Sequence, residues 1–351
     1  MHRFRYLLIL LLALPLIGMW AASAAAQNRT RPLAAGILTV IPPTPVAEET
    51  FSGPLPLVEI PANIPDLEYT PNFEGKTATV FDRAKNVTLR RGIWNLEFAF
   101  KPMRMLYVDV PQPTGKMQRK LIWYLVYRVK NNGGHLAVKE EKRLFQDTIE
   151  EITYKTEEVD ELTETVTTQD GQTAQQPMKL RFFPHFVLES KEYDKAYLDR
   201  VIPAALEPIL DREFPPQSRP EDFRLYDSLT ISSVDIPLSD ERIDRSVWGV
   251  ATWEDVDPRI DYFALYVQGL TNAYKFQDQP GQYKQGDAPG TGRTFVKKTL
   301  QLNFWRPGDT IEQKEEEIRY GCRLEEDPIE QQKIFKLYGI DKPIDHLWLY
   351  R

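Results

Sequence analysis

Residues 121–130 read Leu-Ile-Trp-Tyr-Leu-Val-Tyr-Arg-Val-Lys. Trp123, Leu125, Tyr127 and Val129 fall on one side of an extended chain, and Ile122, Tyr124 and Val126 on the other. A period of two marks a strand, and apolar side chains on both faces mean that both faces are covered. Such a strand belongs in the middle of a sheet. Asn131-Asn132-Gly133-Gly134 follows and ends it in a turn, because these residue types tolerate a positive φ.

Outward from this strand the same rhythm recurs. Trp94, Leu96, Phe98 and Phe100 alternate with Asn95, Glu97 and Ala99, as in a half-buried strand. Pro102 interrupts the run, and Met105 to Val110 resumes it. Leu180 to Leu188 reads as a strand broken by Pro184. Five more short alternating runs follow: Leu229 to Ile236, Val247 to Trp253, Tyr262 to Leu270, Phe295 to Trp305 and Glu316 to Cys322. Residues 139–179 are rich in Glu and Thr with few apolar positions, and fit either a solvated hairpin insertion or a short charged helix. Asp170-Gly171 supplies a turn within them.

The period changes between 193 and 213. Tyr197, Val201, Ala205 and Ile209 recur every fourth residue, which is helical spacing. Pro203 and Pro208 predict two short helical pieces, since an interior proline costs about 3 kcal/mol. Pro215, Pro216 and Pro220 then mark a domain junction. Asp327-Pro328 opens a short helix toward Leu337, and the chain ends in an aromatic tail with Trp348 and Tyr350.

The start of the chain reads as an address. His2, Arg3 and Arg5 precede an apolar run from Tyr6 to Ile17, and small residues follow from Ala21 to Ala26. That is the plan of a secretory signal peptide cut before Gln27, with an uncleaved membrane anchor as the competing reading. Residues 27–72 carry Pro42, Pro43, Pro45, Pro54, Pro56, Pro61, Pro65 and Pro71 and predict an extended tether, with one edge strand near Ile37 to Ile41. A first domain is expected over 73–220 and a second over 221–351, the helical segment 193–213 leading to the junction.

Charge and composition exclude several functions. Lys and Arg number 44 against 51 acids, for a net charge of −7. Nucleic-acid binding needs clustered cations, so it is not expected. Membrane association is expected only if the first segment is an uncleaved anchor. Cys322 is the single cysteine, so no intrachain disulfide exists; it is a buried structural thiol, or else an intermolecular bridge or a reactive thiol. His135, His185 and His346 each stand alone, with no second ligand at zinc spacing. No nucleophile elbow and no phosphate-cradling glycine loop is present, so no catalytic residue and no nucleotide cofactor is assigned.

Carboxylates and aromatics are what remain. Glu254, Asp255, Asp257 and Asp261 lie between two expected strands. An oxygen-rich loop of this kind can hold calcium or simply face solvent. Trp94, Trp123, Tyr124, Trp248, Trp253, Tyr262 and Tyr266 are core or cross-strand residues by their strand positions, or else a sugar-stacking set. Tyr274, Phe276 and Tyr283 stand out as aromatics on an expected loop.

Two stretches carry a family resemblance. Trp123 to Gly134, WYLVYRVKNNGG, resembles the second strand and turn of bacterial immunoglobulin-like adhesion modules. Gly249 to Gly269, GVATWEDVDPRIDYFALYVQG, is similar to the tryptophan strand and hairpin partner of a fibronectin type III-like module. The whole chain also resembles an uncharacterised family of exported bacterial proteins. The resemblance implies a mainly β chain of two immunoglobulin-like or fibronectin-like β-sandwich domains, with a short helical connector and a Pro-rich N-terminal tether. It implies an exported, non-catalytic structural or binding protein of the cell envelope or extracellular space, its partner a protein or a glycan. The alternative is a carboxylate-dependent hydrolase of envelope or extracellular polysaccharide.

Overall fold

The computed structural model describes residues 38–52, 89–145, 148–167, 172–240, 242–279, 281–282, 291–306 and 318–351. The signal-like segment, residues 27–37 and 53–72 of the Pro-rich region, residues 73–88 and Asp170-Gly171 lie outside the described residues. Six strands come first: β1 (Thr39–Ile41), β2 (Phe51–Ser52), β3 (Leu89–Arg90), β4 (Glu97–Phe100), β5 (Arg104–Pro111) and β6 (Met117–Lys130). The charged region forms two hairpins, β7 (His135–Phe145) with β8 (Thr148–Val159), and β9 (Thr163–Thr167) with β10 (Thr173–Pro177). Of the two options for the insertion, the chain takes the hairpin.

The next elements are β11 (His185–Ser190), β12 (Lys195–Leu198), α1 (Pro203–Glu213), β13 (Leu225–Asp227) and β14 (Val247–Glu254). The chain closes with β15 (Tyr262–Gln268), β16 (Tyr274–Asp278), β17 (Arg293–Trp305), β18 (Arg319–Tyr320), α2 (Pro328–Tyr338) and β19 (His346–Tyr350). Asp327 caps α2 by accepting from the Ile329 amide at 2.8 Å, and Gly339 ends it at φ 71°.

Strand β6 is central, as its two apolar faces require. β14 pairs along one side, while β5 and β4 divide the other between them. The first sheet runs β1-β4-β6-β14-β13, and the second runs β12-β11-β15-β17-β16 with β18 and β19 also on β17. Trp123, Leu125, Tyr127 and Val129 of β6 share one core with Phe186, Phe263, Leu265, Leu300, Leu302 and Phe304 of the second sheet. Ring pairs cross between the sheets: Phe98–Phe186 at 6.3 Å, Trp123–Phe263 at 5.6 Å and Phe100–Phe304 at 6.0 Å. Each such side chain contributes roughly 1.5–3 kcal/mol by leaving water.

The other face of β6 presents Ile122, Tyr124 and Val126 to Ile202, Ala205 and Ile209 of the α1 segment. On the far side of the second sheet, Tyr262 packs with Ile334, Phe335 and Tyr338 of α2. The body therefore layers helix, sheet, sheet and helix.

Several expectations change here. The described residues form one compact unit, and the sheets do not respect a boundary at 220. β14 from the later half pairs with β6, and β11 from the earlier half pairs with β15. The 247–254 and 262–268 strands are not hairpin partners but lie in different sheets. The short 255–261 loop carries the chain from one to the other. Residues 38–52, expected as tether, belong to the body: Ile41 is buried, and Glu49 pairs with Lys298 at 2.6 Å.

The two helical pieces are one helix, and Tyr197 lies on a strand instead. Pro203 takes the first helical position, where no amide bond is lost, and burial of the apolar stripe offsets the break at Pro208. Residues 229–236 are not a strand. Asp227 Oδ1 accepts from the Leu229 and Thr230 amides at 3.0 and 2.7 Å and turns the chain into a 3-10 helix over Thr230–Ser233.

Candidate functional site

The acidic loop is a set of ion pairs. Glu254, the last residue of β14, pairs with Lys120 at 2.8 Å and Arg200 at 2.5 Å, and Asp255 shares Lys120 at 2.8 Å. Asp257 meets Lys195 at 2.5 Å, the Arg259 guanidinium at 2.8 Å and the Arg259 amide at 3.0 Å. The Arg259 and Lys195 partners hold its carboxyl well below the usual carboxylate range. Asp261 stands apart: burial and the neighbouring Glu192 raise it. Tertiary folding thus divides four acids that the sequence keeps together. Among the described residues, no group of three or more His, Cys, Asp or Glu is placed to hold a metal ion.

The remaining reactive groups are dispersed. His135 begins β7, His185 begins β11, and His346 begins β19, where its Nδ1 lies 3.0 Å from the Tyr320 hydroxyl. Cys322 is buried, and burial pushes its thiol up to about 11. Among the described residues, Glu213 at the end of α1 is a buried carboxylate. It meets Arg104 at 2.8 Å, Lys101 at 3.3 Å and the Tyr124 hydroxyl at 2.9 Å, and so fastens the helix to the first sheet. No local pattern links these four residues in the sequence.

The aromatics divide between core and surface. Trp123, Tyr124 and Trp253 are fully buried, and Trp248 packs with Phe214 and Phe223 beside α1. A different set lines a groove of about 340 Å³: Trp94, Phe183, Tyr274 and Phe295, with His185 and Lys297. Phe183 is 62% exposed and Phe295 58%. No carboxylate is among the lining residues.

Each wall has a local cause. The Asn272 side chain accepts from the Trp94 amide at 3.0 Å and donates to the Gly92 carbonyl at 3.0 Å, which holds the 92–94 segment against the 271–273 turn. Gly269 has φ 95°, and a Cβ there would lie 2.2 Å from the Phe183 carbonyl oxygen. Only glycine lets the two segments approach so closely. Tyr274 and Phe295 sit on paired strands, their rings edge-on at 5.6 Å. Arg91 stacks on Tyr274 at 3.6 Å and donates to its carbonyl at 2.9 Å.

Tyr274 and Phe276 are strand residues, since β16 pairs with β17 and leaves them outside the expected loop. Tyr283 lies outside the described residues. Trp94 and Tyr274 stand out in the sequence as aromatics, whereas Phe183 and Lys297 do not. The available signal is the alternation through Phe295, Lys297 and Thr299, which puts a ring and a cation on one face of β17. Compared with known proteins, the chain matches no protein-family model, no curated protein and no solved structure.

Proposed function

We propose that this chain is an exported, non-catalytic binding protein whose recognition surface is the aromatic groove, and that its ligand is a glycan. The observation that carries this is the composition of the groove. Four aromatic side chains, two of them well exposed, share a concave surface with Lys297 and His185 and without a carboxylate. Flat apolar rings suit the C–H faces of sugars, and exposed aromatics on a supported surface mark recognition sites. In a chain of net charge −7, a groove free of acids admits neutral and acidic glycans alike.

A hydrolase has less support. The acids beside the cavity of about 500 Å³ at Lys120 and Arg200 are both engaged by cations. An immunoglobulin-like relationship is not needed for a binding role, and the separation of β14 from β15 does not favour one. Export rests on residues 1–26. Among the described residues, no helix is long and apolar enough to cross a membrane.

Calorimetry against purified envelope polysaccharides tests the ligand. Phe183→Ala and Phe295→Ala should each weaken binding about fivefold without lowering the melting temperature. Equal affinity in all three proteins, or no binding by the parent chain, would refute a glycan groove. Fractionation tests export: the chain should leave the cytoplasm and begin at Gln27, and a cytoplasmic chain retaining Met1 would refute it.

A further inference from the structure

A sugar-stacking groove can take neutral or charged glycans, and Lys297 distinguishes between them. It lies two residues from Phe295, so both side chains stand on one face of β17, about 7 Å apart along the strand. Tyr274 is its partner across the β16–β17 ladder, which sets ring and cation side by side. All three residues line the groove, and Lys297 and Phe295 are exposed. Phe295 is braced by Tyr274 at 5.6 Å and Phe276 at 6.3 Å, so the platform is preformed.

The cations around Lys297 are engaged. Lys298 is buried against Glu49 at 2.6 Å, and Arg293 stacks on Phe276 at 4.1 Å. Lys275 lies over the Tyr350 ring at 4.1 Å. Arg351 exchanges backbone bonds with Lys297 at 2.8 and 3.1 Å, while its guanidinium pairs with Glu189. Among the described residues, Lys297 itself forms no ion pair. Strands β16 and β17 contain one acid, Asp278, whose place in the ladder is opposite Arg293, at the far end from Lys297. Arg91, stacked on Tyr274 at 3.6 Å, adds a second positive charge beside the groove.

Ring and charge together specify the ligand. In a chain of net charge −7, a wall with an uncompensated ammonium and no acid is a local positive field. A uronate sugar carries its carboxylate on a ring carbon, at the edge of the flat C–H face. With that face on Phe295, the carboxylate stands at the rim, within reach of the flexible lysine stem. We infer that the groove selects uronate-bearing, acidic glycans over neutral ones, and that Lys297 makes the choice. This inference rests on the glycan groove proposed above and specifies its ligand.

The test uses the full chain with hexagalacturonate and its full methyl ester, which has the same rings without the charge. At low ionic strength, calorimetry should give the acid about fivefold tighter binding than the ester, as one partly exposed ion pair allows. Added salt should narrow that ratio. Lys297→Gln should bring the ratio close to one, and Lys297→Arg should keep it, so a general loss of fold cannot imitate the result. Equal affinity for acid and ester in the parent chain, or an undiminished ratio in Lys297→Gln, would overturn the inference. In either case the glycan groove stands if the ester binds and Phe295→Ala weakens it. Binding of neither acid nor ester would overturn both.

Discussion

Gly249 of β14 lies directly opposite Tyr127 of β6, and a Cβ at 249 would fall 2.4 Å from the tyrosine ring. The ring occupies the space that a side chain would take. Gly249→Ala should therefore destabilise the body by about 1–3 kcal/mol, the usual range for overpacking. Urea unfolding checks this, and in a double-mutant cycle Gly249→Ala should cost less in a Tyr127→Ala background than alone, because the contested volume is already vacated.

Glu213 joins α1 to the first sheet through Lys101 and Arg104. Removing one partner of a buried ion pair leaves the other charge buried alone, which typically costs about 3–5 kcal/mol. Glu213→Ala should cost that much in equilibrium unfolding. Glu213→Met combined with Lys101→Met and Arg104→Met should cost much less, since apolar side chains in the same space leave no orphaned charge.

His135 links stability to pH. Burial lowers its pKa in the folded state below the unfolded value of 6.5. Between these two values the unfolded chain binds the extra proton, so stability rises with pH there. Its contribution is complete above pH 6.5 and is lost as the pH falls toward the folded value. Melting temperatures from pH 7.5 to 5 should decline, and His135→Gln, whose amide oxygen can still accept from Asn95, should show a shallower decline.

Cys322 should resist modification. With the thiol pushed up to about 11 and buried, little thiolate exists at pH 8. Iodoacetamide labelling followed by mass spectrometry should be slow for the native chain and at least tenfold faster in denaturing urea. Rapid labelling of the native chain would show that the site opens without unfolding.

Much of the local structure is legible in residue order. The two-faced pattern of 121–130 requires a covered central strand, and β6 is one. The Asp327-Pro328 cap and the glycine turn at 133–134 depend on near neighbours, and both are present with φ 75° and 68° at the glycines. The long-range arrangement is not legible in the same way. Alternation says that Val247 to Trp253 is a strand, but any apolar strand could accept it.

The sequence by itself determined a β-rich chain, the turns between its strands and the residue types available for chemistry. Tertiary structure alone decided that β6 and β14, more than a hundred residues apart, lie side by side. It also decided that Glu254, Asp255 and Asp257 are divided among Lys120, Arg200, Lys195 and Arg259, and that Trp94, Phe183, Tyr274 and Phe295 share a groove. The reason is physical. Strand periodicity and caps arise from bonds and side chains a few residues apart, while partner choice follows from how two whole sheets pack one core.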